Sequence, residues 1–177
     1  RIIIIKTARR TRMSLNVQLK PINGKQLKSR FFNGLFIHDI SKIPDGYRFF
    51  FQLVLKEVCE DDGILYVFVH PENEMDYKIH YSHDTQSLSK IKTPYQGYDM
   101  TFELTDDHFD GMKIWGYPVS LNVDFDTSER LLLQYDPYDI DDSPLFSHLD
   151  GYVYVMIHHD DLINKHYERA YLVCDRL

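Results

Sequence analysis

The chain has 177 residues, 44% of them hydrophobic and 27% charged, which is enough to build a core without a disulfide or metal to support it. Of its 20 Lys and Arg, five lie in residues 1–12 (Arg1, Lys6, Arg9, Arg10, Arg12), leaving 15 against 27 Asp and Glu, a balance of −12 over the remainder. Such an acidic body argues against nucleic acid as a partner, and no apolar run approaches the ~20 residues of a membrane span.

Along the chain, Arg1–Arg12 reads as a leader, an extension or an artefact, with Met13 as the start of a single domain over 13–177. One helical turn is expected at Asn23–Leu27. Phe31–Phe36 (FFNGLF) is an aromatic segment around a glycine. Phe49–Leu55 (FFFQLVL) and Gly63–Val69 (GILYVFV) are continuous apolar runs bounded by turn residues, as in strands buried on both faces. The acidic connection Lys56–Asp62 joins them as an antiparallel pair. Tyr77–Tyr81 (YKIHY) and 102–109 (FELTDDHF) alternate in part, so one face of each is wet. Then come Ile114–Pro118 (IWGYP), Leu131–Tyr135 (LLLQY) and an acidic stretch, Asp136–Asp150. Gly151–His158 is another apolar run, Asp160–Lys165 a short helix, and Tyr167–Cys174 a closing strand. Cys59 and Cys174 are isolated and each follows a valine, so they read as reduced thiols of a cytoplasmic protein.

One order recurs. An apolar triplet, a Gln, an acidic turn, a Gly and an apolar run with Tyr appear at Phe49–His70 and again at Leu131–His158. Each motif has a glycine-containing aromatic segment upstream and a tyrosine-rich strand downstream. Matched order across four features predicts a duplication, with repeats of about 13–92 and 93–177. The expected fold is α+β and strand-dominated: two degenerate repeats intertwined around one mainly antiparallel β core, with few short helices.

These motifs also carry a resemblance. Phe51-Gln52-Leu53, Gly63–Phe68, Trp115-Gly116-Tyr117-Pro118, Leu131–Asp136, Gly151–Ile157 and Asp160-Asp161-Leu162 together resemble the YwqG family, a bacterial domain group with no established activity. The resemblance spans roughly residues 15–175. Where that family has Gly-Gly-x-Pro, this chain has Asn33-Gly34-Leu35-Phe36, and no Gln follows Tyr117-Pro118. Those departures imply that any shared catalytic role of the family is eroded here.

No catalytic constellation emerges from the residues. His80-x-x-His83 is a bare pair, and His158 and His159 point to opposite faces if on a strand, so no metal and no cofactor are expected. Asp136–Asp150 lacks the Gly and Glu positions of a calcium loop. Gln52 and Gln134 stand out, because an amide at the end of an apolar strand must find partners. The plain role is to satisfy a loop backbone; the alternative is to hold a ligand.

Two functions follow as expectations. The first is a non-catalytic protein-interaction domain, an immunity or antitoxin-like protein binding a basic partner such as a toxin domain through Asp136, Tyr138, Asp139, Asp141 and Asp142. The second is a small-ligand-binding protein or enzyme with a cleft between the repeats near Gln52, Gln134, Trp115 and Tyr117.

Overall fold

A computed structural model describes residues 13–106, 109–119 and 122–176, so the expectation for 1–12 lies outside the described residues. Among the described residues twelve strands dominate: β1 Met13–Pro21, β2 Arg30–Phe31, β3 Leu35–Ile37, β4 Arg48–Val54, β5 Ile64–His70, β6 Asn73–Ser82, β7 Ser89–Ile91, β8 Tyr98–Asp106, β9 Lys113–Ile114, β10 Glu129–Tyr135, β11 Gly151–His158 and β12 Tyr171–Arg176. Described helix is limited to single turns at Leu55–Val58 and His159–Ile163, with 3-10 turns at Ile40–Lys42, Pro137–Asp139 and Tyr167–Arg169. No described helix is long and apolar enough to cross a membrane.

The described residues form two compact units, a central one of Gln18–Thr101 and a terminal one that joins 13–17 with the described residues from 102 to 176. In the central unit the strand order is β8-β2-β4-β5-β6, β8 entering it through residues 98–101, with β3 and β7 as a separate antiparallel pair. β4, β5 and β6 form a meander: Gln52 faces Tyr66, and Tyr66 faces His80. Phe49, Val54, Ile64, Tyr66 and Phe68 pack there with Leu35 and Ile37 of β3. In the terminal unit the order is β12-β11-β10-β9-β1, β1 entering it through residues 13–17, and the meander of β10, β11 and β12 repeats the plan. Gln134 faces Tyr154, and Tyr154 faces Val173. Leu131, Tyr154 and Met156 form a buried cluster with Phe125, Tyr171 and Val173 against it.

Both meanders carry the same irregularity. The pairing slips by one residue between Phe49 and Phe51 in β4, and between Leu131 and Leu133 in β10. A bulge of this kind bends the strand and re-aims the side chains that follow, here the glutamines.

The fold expectation is corrected in two respects. The helices form no layer, so the fold is not α+β but a strand fold with helical turns at its connections. Nor are two repeats intertwined around one core: each three-stranded meander stays whole within its own unit, and the strands that cross between the halves of the sequence are β1, which pairs with β9, and β8, which pairs with β2. The physical reason is local. Short connections make sequential strands pair with each other first, and the hairpins at 55–63 and 71–72 leave β4, β5 and β6 no room to separate. Two smaller expectations also differ. Asn23–Leu27 is not helical, and Tyr167–Arg169 is a 3-10 turn before β12 begins at Tyr171.

Candidate functional site

The bulge in β4 turns Gln52 inward, fully buried, toward the loop between β2 and β3. Its Oε1 accepts from Phe36 N at 2.8 Å and its Nε2 donates to Lys28 O at 2.6 Å. In the terminal unit, buried Gln134 has its Oε1 accepting from Val119 N at 2.8 Å and its Nε2 donating to Gly111 O at 3.0 Å and Asp110 O at 3.1 Å. Phe36 and Val119, like Lys28 and Gly111, are 83 positions apart. Each amide therefore closes one loop over one short strand in the same way.

The loops match in backbone as well. Phe32 and Trp115, also 83 apart, both take left-handed φ values of 58° and 62°. A bulky residue there costs on the order of 1–3 kcal/mol, and the surrounding bonds hold it. In return each ring is driven inward, Phe32 to full burial and Trp115 to 4% exposure. Tyr117 follows on the same loop but is 53% exposed, so of the four residues expected at a ligand site three sit around one loop of the terminal unit, and Gln52 sits in the central unit.

Charge separates the copies. Opposite Gln52 across the ladder stands Arg30, and opposite Gln134 stands Lys113, both fully buried. Arg30 donates through Nε to Asp99 Oδ1 at 2.6 Å, and its outer nitrogens reach Gln26 O at 3.1 Å and Gly34 O at 3.3 Å. Asp99 faces Arg30 in register on β8 and is 3% exposed. Lys113 instead faces Asn16 on β1. A buried ion pair needs close geometry and further hydrogen bonds to offset desolvation, and Arg30 has both.

The terminal unit gathers acid. Burial, and then the nearby charges of Asp139 and Asp110, push the Asp136 carboxyl up from its ordinary range, with the Tyr138 backbone N–H opposing. Burial and the same three carboxylates push Tyr152 up too. Asp139 also accepts from Met112 N at 3.4 Å, the counterpart of Glu57 accepting from Ser29 N at 2.7 Å in the central unit. Asp136 caps the 3-10 turn by accepting from Tyr138 N at 2.9 Å. Tyr138 itself is 70% exposed.

The acidic connection is held from beneath. Pro137, Ile140, Leu145, Phe146 and Leu149 are buried, Tyr135 and Ser143 share a hydroxyl bond of 2.7 Å, and Ser143 Oγ donates to Leu145 O at 2.6 Å. Apolar residues thus pin the segment while Tyr138, Asp139, Asp141, Asp142 and Asp150 face outward. The structure brings Asp136, Tyr138 and Asp139 onto one turn and sets Asp141 and Asp142 just beyond it. Among the described residues no three metal-ligating groups converge.

Residues missed by sequence reasoning are Arg30, Asp99 and Lys113, whose burial has no periodic signal. Isolated charges ordinarily read as surface.

No curated protein matches this chain. Residues 71–175, from the end of β5 to β12, match the family described as Domain of unknown function (DUF1963). That span covers more than half of the sequence, and the chain belongs to this family.

Proposed function

We propose that this chain is a non-catalytic protein-interaction domain, an immunity or antitoxin-like protein of the YwqG-like kind, that binds a basic protein partner through its acidic connection. It is built as two repeats of about 13–92 and 93–177 and works in the cytoplasm, where Cys59 and Cys174 stay free thiols.

One observation carries this reading. Residues 135–150 hold five aspartates and no Lys or Arg, and Asp136, Asp139, Asp141, Asp142 and Asp150 form no ion pair with a described residue. Uncompensated carboxylates repel one another, so a surface that keeps them together on a pinned segment gains when a cation arrives. Pinning matters as well, because a segment already ordered loses little entropy on binding. Tyr138 adds an exposed ring with a polar tip, which suits an interface.

The test is capture from lysate at low and high salt, comparing the wild type with Asp139→Asn/Asp141→Lys/Asp142→Asn. Asn keeps the acceptor at position 139 and tolerates the φ of 52° at position 142. The expected result is a basic protein held at low salt, released at high salt and lost by the triple variant. A chain that captures nothing at either salt, or captures equally well without those charges, contradicts the reading.

A further inference from the structure

The two glutamine-anchored loops are alike in backbone and opposite in charge. Before β2, residues 20–30 hold Lys20, Lys25, Lys28 and Arg30 with no carboxylate, and residues 88–93 add Lys90 and Lys92, again with none. These converge. Lys90 Nζ donates to Gly24 O at 3.2 Å, beside Lys25, and lies 5.7 Å above the Phe36 ring, over which Arg30 also sits at 5.1 Å. Lys92 follows just beyond β7, and its charge, like those of Arg30 and Lys25, reaches Lys90. Lys28 Nζ is 3.9 Å from Asp99, the carboxylate already engaged by Arg30. The remaining charge is positive, and Lys25, Lys90 and Lys92 are exposed.

At the corresponding place before β9, the terminal unit has Glu103, Asp106 and Asp110, and Asp110 lies near Asp136 of the acidic connection. Lys20 and Glu103 are 83 positions apart, so there the charge reverses on equivalent positions, and Asp110 stands where the central unit has the neutral Leu27. A chain that displays a cationic surface on one unit and an anionic surface on the other carries the complement of each of its own faces. A contact between two different faces of identical chains is heterologous, and it repeats head to tail.

We propose that the lysine surface of Lys25, Lys28, Lys90 and Lys92 docks onto the acidic connection of a second copy of this chain, so that self-association and capture of a basic partner compete for the same aspartates. The inference rests on the proposed role of the acidic connection and adds its regulation. Free chains at high concentration cover one another's acidic surfaces, and a basic partner of higher affinity displaces the neighbouring copy.

Two pairs of exposed substitutions test it, Lys25→Glu/Lys92→Glu and Asp141→Lys/Asp150→Lys. Sedimentation of the full chain is followed with rising concentration at about 50 mM and about 500 mM salt. The wild type is expected to associate at low salt and to do so at least about tenfold more weakly at high salt. Each variant alone is expected to stay monomeric, because like charges then meet. An equal mixture of the two variants is expected to associate again, since each supplies the face that the other has lost. A wild type that stays monomeric at every concentration, or a mixture that stays apart, overturns the proposal. Lys25→Glu/Lys92→Glu leaves the acidic connection intact, so its capture of a basic partner tests that reading separately. Capture without self-association removes only the present inference.

Discussion

Gln52 and Gln134 each accept a backbone N–H at 2.8 Å through Oε1, from Phe36 and Val119, while their Nε2 groups donate to carbonyls on the other side of the same loops. The loops are thereby fixed by side chains as well as by strand pairing, and the fully buried amides have little freedom to do anything else. Replacing either Gln with Leu leaves buried backbone groups unpaired, at roughly 1–3 kcal/mol each. Urea denaturation of Gln52→Leu and Gln134→Leu is expected to show losses of similar size, about 2 kcal/mol or more. A large loss in one with none in the other would show that the two amides are not equivalent.

Tyr66 and Tyr154 make a second matched pair with opposite outcomes. Each is fully buried and stands opposite its glutamine. The Tyr154 hydroxyl donates to Val119 O, whereas the Tyr66 hydroxyl has no hydrogen-bond partner among the described residues. Burial pushes both phenols up. Tyr66→Phe is therefore expected to leave stability unchanged or raise it, while Tyr154→Phe is expected to lower it by about 1 kcal/mol. Thermal melts of the two variants side by side check the sign.

The Arg30–Asp99 pair predicts a strong asymmetry. Asp99→Ala strands a guanidinium that is fully buried, and the expected loss is about 3–5 kcal/mol. Adding Arg30→Met removes the stranded charge and is expected to recover a large part of that loss, because an apolar side chain fits the site without desolvation. A double variant less stable than Asp99→Ala would contradict this account.

For Asp136 the sign of the pH dependence is set by its environment. Burial, then Asp139 and Asp110, raise its folded-state pKa above the unfolded one, so the folded state holds the proton more tightly. Its contribution is favourable below the unfolded pKa and is lost as pH rises through the raised value. Asp136→Asn keeps the cap on Tyr138 N and removes this loss. The melting temperature of the variant is expected to exceed that of the wild type at neutral pH, with the difference vanishing in acid.

The strands that could be read from sequence are those whose burial alone decides them. Phe49–Leu53 and Ile64–Val69 are apolar runs with turn residues at both ends, and both became buried strands. β1 was missed because Met13–Leu15 looked like a chain start, although Leu15 and Val17 already alternate with polar neighbours. Asn23–Leu27 has local helical character, but Gln26 O and Lys28 O accept from the Arg30 and Gln52 side chains, and those bonds compete with a helical turn. Local propensity loses to tertiary demand there. The recurrence of the Gln in two similar contexts pointed to both amides. Nothing local marks Arg30, Asp99 or Lys113, since only strand pairing puts Asp99 opposite Arg30 and hides both.

The central claim is that the pinned acidic connection is the surface where this protein meets its partner. Amide hydrogen exchange of the purified chain, free and saturated with the basic protein it captures, tests that most directly. The account predicts slowed exchange concentrated in residues 136–150 and around Asp110, diminishing as salt is raised. Protection confined to the β6 edge or to the loops of the central unit, and indifferent to salt, would contradict it.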